Sequence, residues 1–155
     1  MTKWKIPLYK VVTDSKDITN VSKVLKRDTD WAIGPEINKF EDRLSNFVGT
    51  KYCVVFNSGT SALHASLLSI GIKPHEQVIV PTFTFISTVN SVLMVGAVPY
   101  FVDIENDTLG LDPNKVISSI SEKVKAIIPV HYAGLPCKID ELQEIARRKK
   151  IPLIE

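Results

Sequence analysis

The chain has 155 residues, close to the roughly 150 of an average domain, and is 45% hydrophobic and 23% charged, which excludes disordered, collagen-like and low-complexity classes. Nineteen Lys and Arg against seventeen Asp and Glu leave a net charge of +2, so no basic excess points to nucleic acid. Cys53 and Cys137 lie far apart without CxxC spacing, the start MTKWKIPLYK has no apolar signal core, and the apolar stretch 92–102 is too short to span a bilayer. Reduced thiols, a cytoplasmic setting, and no metal, membrane or nucleic-acid partner are therefore expected.

Residues 1–50 read as a charged helical segment. Ile18, Val21, Val24 and Leu25 stand at helical spacing, and the pattern breaks at Trp31-Ala32-Ile33-Gly34-Pro35. A second helix begins with Pro35 in its first turn; Ile37, Phe40, Leu44, Phe47 and Val48 form its apolar stripe and Gly49 ends it.

Residues 51–155 follow a different rhythm. Tyr52 to Phe56 is a β-rich run that turns through Asn57-Ser58-Gly59-Thr60 into a helix closed by Gly71. The unit recurs. Strands are expected at Gln77 to Val80, Val98 to Val102, Ala126 to Val130 and Ile151 to Ile154. Helices are expected within residues 84–95, after Asp112-Pro113 as far as Ile120, and within residues 139–149. Continuous apolar strands alternating with helices predict an α/β fold, a mostly parallel, doubly wound sheet with helices on both faces. The last apolar strand has no helix after it, so the chain is expected to be a partial domain.

Asn57-Ser58-Gly59-Thr60-Ser61 sets a glycine among hydroxyl residues where a strand turns into a helix, so free N–H groups, the helix dipole and hydroxyls converge. That pattern suits a monophosphate. It equally suits a plain serine cap with a turn glycine, and it matches neither GxGxxG nor GxxxxGK[ST]. Phe83 and Phe85, in Pro81-Thr82-Phe83-Thr84-Phe85, follow the second strand at the same rim, where an aromatic ring either stacks on a planar ligand or packs on a helix. His131, in Pro129-Val130-His131-Tyr132-Ala133-Gly134, ends the fourth strand on that rim, as a hydrogen-bonding imidazole or a satisfied core histidine. Asp103 and Glu155 are strand-end carboxylates, and the charges of residues 140–150 match a helix dipole and a solvated face.

Taken in order, Gly34-Pro35 with Phe40-Glu41, Asn57 to Leu63, Pro81 to Phe85 and Pro129 to Gly134 resemble the DegT and StrS-like nucleotide-sugar aminotransferases over nearly the whole chain. The resemblance implies the N-terminal part of the large domain of a fold-type-I pyridoxal-phosphate enzyme, usually a homodimer with active sites at the subunit interface. It implies pyridoxal 5'-phosphate as cofactor, with Gly59, Thr60 and Ser61 as the phosphate-binding turn, Phe85 stacking on the pyridine ring and His131 near the cofactor. Residues 31–35 resemble a segment near the substrate pocket and dimer interface.

The activity implied is transfer of an amino group, with glutamate as donor, to a keto nucleotide-sugar in cell-surface polysaccharide or amino-sugar biosynthesis. A sugar dehydratase of the same family and a non-catalytic binding or dimerisation fragment are the alternatives. The aspartate that pairs with the pyridinium nitrogen would follow Glu155, and the Schiff-base lysine would lie further on. Residues 1–155 alone are thus expected to be inactive, with no catalytic residue among them.

Overall fold

Asp14 opens the first helix, α1 (Ser15–Leu25), by accepting from the Lys16 and Asp17 N–H groups at 2.7 and 3.1 Å, while the Asp17 carboxylate accepts from the Asp14 N–H at 2.9 Å. This reciprocal cap satisfies donors that a first helical turn leaves open. Helix α2 (Pro35–Val48) starts on Gly34 and stops where Gly49 takes φ +80, a left-handed conformation that glycine adopts without strain. Between the helices the Arg27 guanidinium donates to both Glu36 carboxylate oxygens at 2.9 Å and to the Asp30 carbonyl at 2.9 Å. Gly34 is buried against this clamp, and a Cβ there would lie 2.5 Å from Arg27 Nη2 and 2.8 Å from the Asp30 carbonyl oxygen. Neither helix buries a residue.

The structure is a computed structural model that describes residues 5–6 and 9–155, and the chain divides after Val55 into two units, residues 1–55 and 56–155. The strand expected at Tyr52 to Phe56 does not form. No strand pairs with it among the described residues, and the Val55 N–H donates at 2.9 Å to the side chain of Glu41 instead of to a ladder carbonyl.

In the second unit, helix α3 (Gly59–Ser69) leads to strand β1 (Gln77–Pro81), helix α4 (Ile86–Met94) and strand β2 (Val98–Val102). Helix α5 (Pro113–Ser119), strand β3 (Val124–Ile127), a 3-10 turn at Tyr132–Gly134 and helix α6 (Ile139–Lys149) follow. The sheet order is β2-β1-β3, all parallel, with Ile79 paired to Tyr100 on one side and Ile127 on the other. Residues 151–154 reach β3 through one parallel bridge, Ile127 to Leu153, instead of a full strand, since only Ile127 N to Pro152 O and Ile154 N to Ile127 O are made, at 3.0 and 2.9 Å.

Helices cover both faces. Val78 and Val80 point into a core with Leu67 and Val92 of α3 and α4, whereas Ile79 packs with Val116 and Leu142 of α5 and α6. Val78, Ile79 and Val80 are fully buried, each contributing about 1.5–3 kcal/mol of hydrophobic stabilisation. Strand alternation divides one apolar run between two cores.

Candidate functional site

The chain passes from β1 to β2 on one side of the sheet and then crosses to β3 on the other, so its course reverses between β1 and β3. In open α/β sheets the crevice beyond the carboxyl ends of the strands at such a reversal is where ligands bind. Phe83, after β1, and Tyr132, after β3, meet across this point with ring centroids 4.6 Å apart and planes tilted by 44°. Phe85 is left free: it opens α4 and is 76% exposed.

Helix α3 begins beside it. Ser58 caps this helix by accepting from the Ser61 N–H at 3.1 Å, so the bland role foreseen for a serine here is met by Ser58. Gly59 and Thr60 are the first two residues of the helix, whose N–H groups have no acceptor within it. A Cβ on Gly59 would touch nothing within 4 Å, so the turn faces open space. The Thr60 hydroxyl donates to the Ser87 hydroxyl at 2.9 Å, which joins the starts of α3 and α4, and the Ser58 and Ser61 hydroxyls lie 3.0 Å apart. Gly59, Thr60, Ser61 and Phe85 thus come to one corner of the sheet's rim.

His131 is held differently. The Cys137 N–H donates to Nδ1 at 3.1 Å, and Nε2 lies 3.0 Å from Glu155 Oε2. A backbone N–H can only donate, so Nδ1 carries no proton and Nε2 donates to the carboxylate. Both ring nitrogens are therefore used within the chain, and no hydrogen bond links His131 to Gly59–Ser61 among the described residues. Burial first, then the Glu155 charge, push the Cys137 thiol up, so it is no activated nucleophile.

Two carboxylates near the rim serve the scaffold. Asp103 accepts from Lys115 at 2.7 Å, from the Ile104 N–H at 3.0 Å and from Thr82 at 3.2 Å, and the lysine bond holds its carboxyl below the usual range. Glu105 accepts from the Thr108 hydroxyl, the Asp107 and Thr108 N–H groups and, at 3.4 Å, Lys138. Those bonds, the Thr108 hydroxyl foremost, lower its pKa to about 2. Sequence inspection did not single out Ser87, Tyr132 or Glu105; only the hydroxyl and aromatic runs around the first two hinted at them.

A cavity of about 610 Å³ opens at the other end of the same sheet, among Gly71, Glu76, Lys125, Lys149 and Pro152, and contains none of the predicted site residues. No cluster of three or more His, Cys, Asp or Glu suits a metal ion, and no helix is long and apolar enough to cross a membrane, among the described residues.

The sequence profile of the DegT/DnrJ/EryC1/StrS aminotransferase family, a pyridoxal-phosphate-dependent family, matches residues 12–155. A protein of Methanocaldococcus jannaschii, MJ1066, is 38% identical over 151 residues, which are 97% of this chain and 39% of the relative. The aminotransferase from Psychrobacter cryohalolentis superposes with a TM-score of 0.88 at 30% identity, covering 93% of this chain and 37% of that one. The GDP-4-keto-6-deoxy-D-mannose-3-dehydratase of E. coli, solved with hydrated pyridoxal phosphate, superposes with a TM-score of 0.84 at 25% identity, covering 95% and 39%. The chain thus spans somewhat over a third of the proteins it matches, and its parallel sheet with helices on both faces is that of the fold-type-I pyridoxal-phosphate enzymes. By the match of all but its first eleven residues, the chain belongs to the DegT/DnrJ/EryC1/StrS aminotransferase family.

Proposed function

We propose that residues 51–155 form part of the cofactor-binding large domain of a sugar aminotransferase that uses pyridoxal 5'-phosphate. One observation carries this reading: an open helix start with free N–H groups, ringed by the mutually bonded Thr60, Ser87, Ser58 and Ser61 hydroxyls, lies beside an aromatic ring that is 76% exposed, at the reversal point of the sheet. These groups fit the cofactor. The Gly59 and Thr60 N–H groups and the Thr60 and Ser61 hydroxyls would bind the phosphate, favoured by the α3 dipole. The Phe85 ring would lie against the pyridine, with His131 bordering the same site.

When bound, pyridoxal phosphate supplies an electron sink for chemistry at the substrate's amino-bearing carbon. Residues 51–155 would bind the phosphate and orient the ring of the group. The substrate is a keto nucleotide-sugar, glutamate the donor, and the product serves cell-surface polysaccharide or amino-sugar synthesis in the cytoplasm. A homodimer completes the site. The exposed apolar stripe of α1, Ile18, Val21 and Leu25, supports a covered state, since apolar patches are seldom left in water. The match to a dehydratase supports a second reading, dehydration of the sugar, which a histidine in place of the Schiff-base lysine would indicate.

Titration with pyridoxal phosphate, followed by cofactor absorbance, tests the site. Thr60→Val and Phe85→Ala should each weaken binding about tenfold, the scale of one lost charged hydrogen bond or a buried ring contact. Native binding in both variants would overturn the assignment. Residues 1–155 alone should show no transaminase turnover, because they offer neither the Schiff-base lysine nor the pyridinium-pairing aspartate; measurable turnover would contradict that.

A further inference from the structure

We infer that His131 is a positioning residue, which fixes the Glu155 end of the sheet through one tautomer of its ring, and that Glu155 is the residue it positions. The geometry is a relay. Gly110 packs against Cys137 with no room for a Cβ between them, so the loop of residues 103–111 lies against the residue whose N–H holds His131 Nδ1. Glu105 gathers that loop, taking the Asp107 and Thr108 N–H groups at 2.9 and 3.0 Å, and reaches Lys138, the neighbour of Cys137, at 3.4 Å.

Nδ1 is therefore an acceptor, and the proton resides on Nε2, 3.0 Å from Glu155 Oε2. That bond ties the segment after β3 to residues 151–155, which the backbone joins to the sheet by only two hydrogen bonds around Ile127. A weakly paired strand end is made definite by one side chain. His131 is followed by Tyr132, whose ring meets Phe83, so His131 adjoins one wall of the crevice. Partners that orient a functional group through a second residue work in this way at other sites. The functional weight of the inference rests on the cofactor reading given above, since that reading makes the rim a site.

Nitrogen-15 spectra of the full-length protein, labelled on histidine and on the backbone, test it. The native ring should show an unprotonated Nδ1 and a protonated Nε2. Glu155→Gln, which keeps an acceptor, and Glu155→Ala, which leaves the Cys137 N–H on Nδ1, should both preserve that tautomer, while the Nε2 resonance should move in the alanine variant alone. Protection of the Ile154 amide, which donates to Ile127, should fall about tenfold in His131→Phe and recover in His131→Gln, which keeps a donor toward Glu155. Averaged tautomers in the native protein, or unchanged Ile154 protection in His131→Phe, would overturn the inference. Adding pyridoxal phosphate to the same sample separates the two claims: no shift at the Gly59–Ser61 amides would remove the cofactor reading while the tautomer pattern still decides the role of His131.

Discussion

Residues 1–55 and 56–155 are built on opposite balances of local and distant interactions. In the first unit, α1 and α2 bury no residue, and their order comes from the Asp14 cap, the Gly49 stop and the Arg27 clamp on Glu36 and Asp30. In the second, β1 places Val78, Ile79 and Val80 in two separate cores at zero exposure. Caps and clamps define where a helix begins and ends, but each is worth only about 1 kcal/mol, whereas burial supplies the bulk of stability. A site that must hold a ligand in fixed geometry belongs on the second kind of unit, and Gly59, Phe85 and His131 all lie there.

The largest expected effect breaks this contrast directly. Ile79→Ala should destabilise the second unit by about 2–5 kcal/mol, through lost burial and the cavity left behind, while Phe47→Ala, at a side chain 89% exposed, should stay within about 0.5 kcal/mol. Denaturant unfolding of both variants measures it. Equal losses would mean that α2 is covered to a degree comparable with β1.

Intermediate effects come from two glycines, one per unit. Gly110→Ala forces Cys137 away and Gly34→Ala collides with Arg27 and the Asp30 carbonyl, so each should cost about 1–3 kcal/mol. Their consequences differ by place. Gly110→Ala should also disturb the His131 ring, visible in its nitrogen shifts, whereas Gly34→Ala should lower helix content in α2 and leave His131 unchanged.

The smallest effect is on acid stability. Glu105 has a folded pKa of about 2 against 4.5 for a free glutamate, so its contribution is complete above about pH 4.5 and is lost as pH falls through about 2. Glu105→Gln should lower stability at neutral pH and flatten its decline between those limits. A slope equal to that of the native protein would show that Glu105 does not gather the loop.

Much of the second unit is legible from local signals. Val98 to Val102 forms as expected, Asp112-Pro113 opens α5, and the start of α3 falls at Gly59 within the hydroxyl run. Local signals fail where a partner decides. Tyr52 to Phe56 has strand composition, yet without a neighbouring strand its Val55 N–H turns to Glu41. Residues 151–154 read as a full strand and make a single bridge, because only Ile127 meets them.

The site shows the same division. Gly59, Thr60, Ser61 and Phe85 can be proposed from sequence because turn glycines, hydroxyls and a rim aromatic are short-range patterns. The tautomer of His131 is not, since it depends on Cys137 six residues on and Glu155 twenty-four residues on. Phe83 and Phe85 look alike in sequence. Composition and spacing do not separate them; the Tyr132 ring, brought up by β3, packs on Phe83 and leaves Phe85 free.

The most direct measurement is a backbone-amide NMR titration of the protein with pyridoxal phosphate. Shifts should concentrate at Gly59, Thr60 and Ser61, with Ser87 and Phe85 following. Shifts at Gly71, Lys149 and Lys150, in the cavity at the opposite end of the sheet, or no saturable shifts at all, would contradict the account.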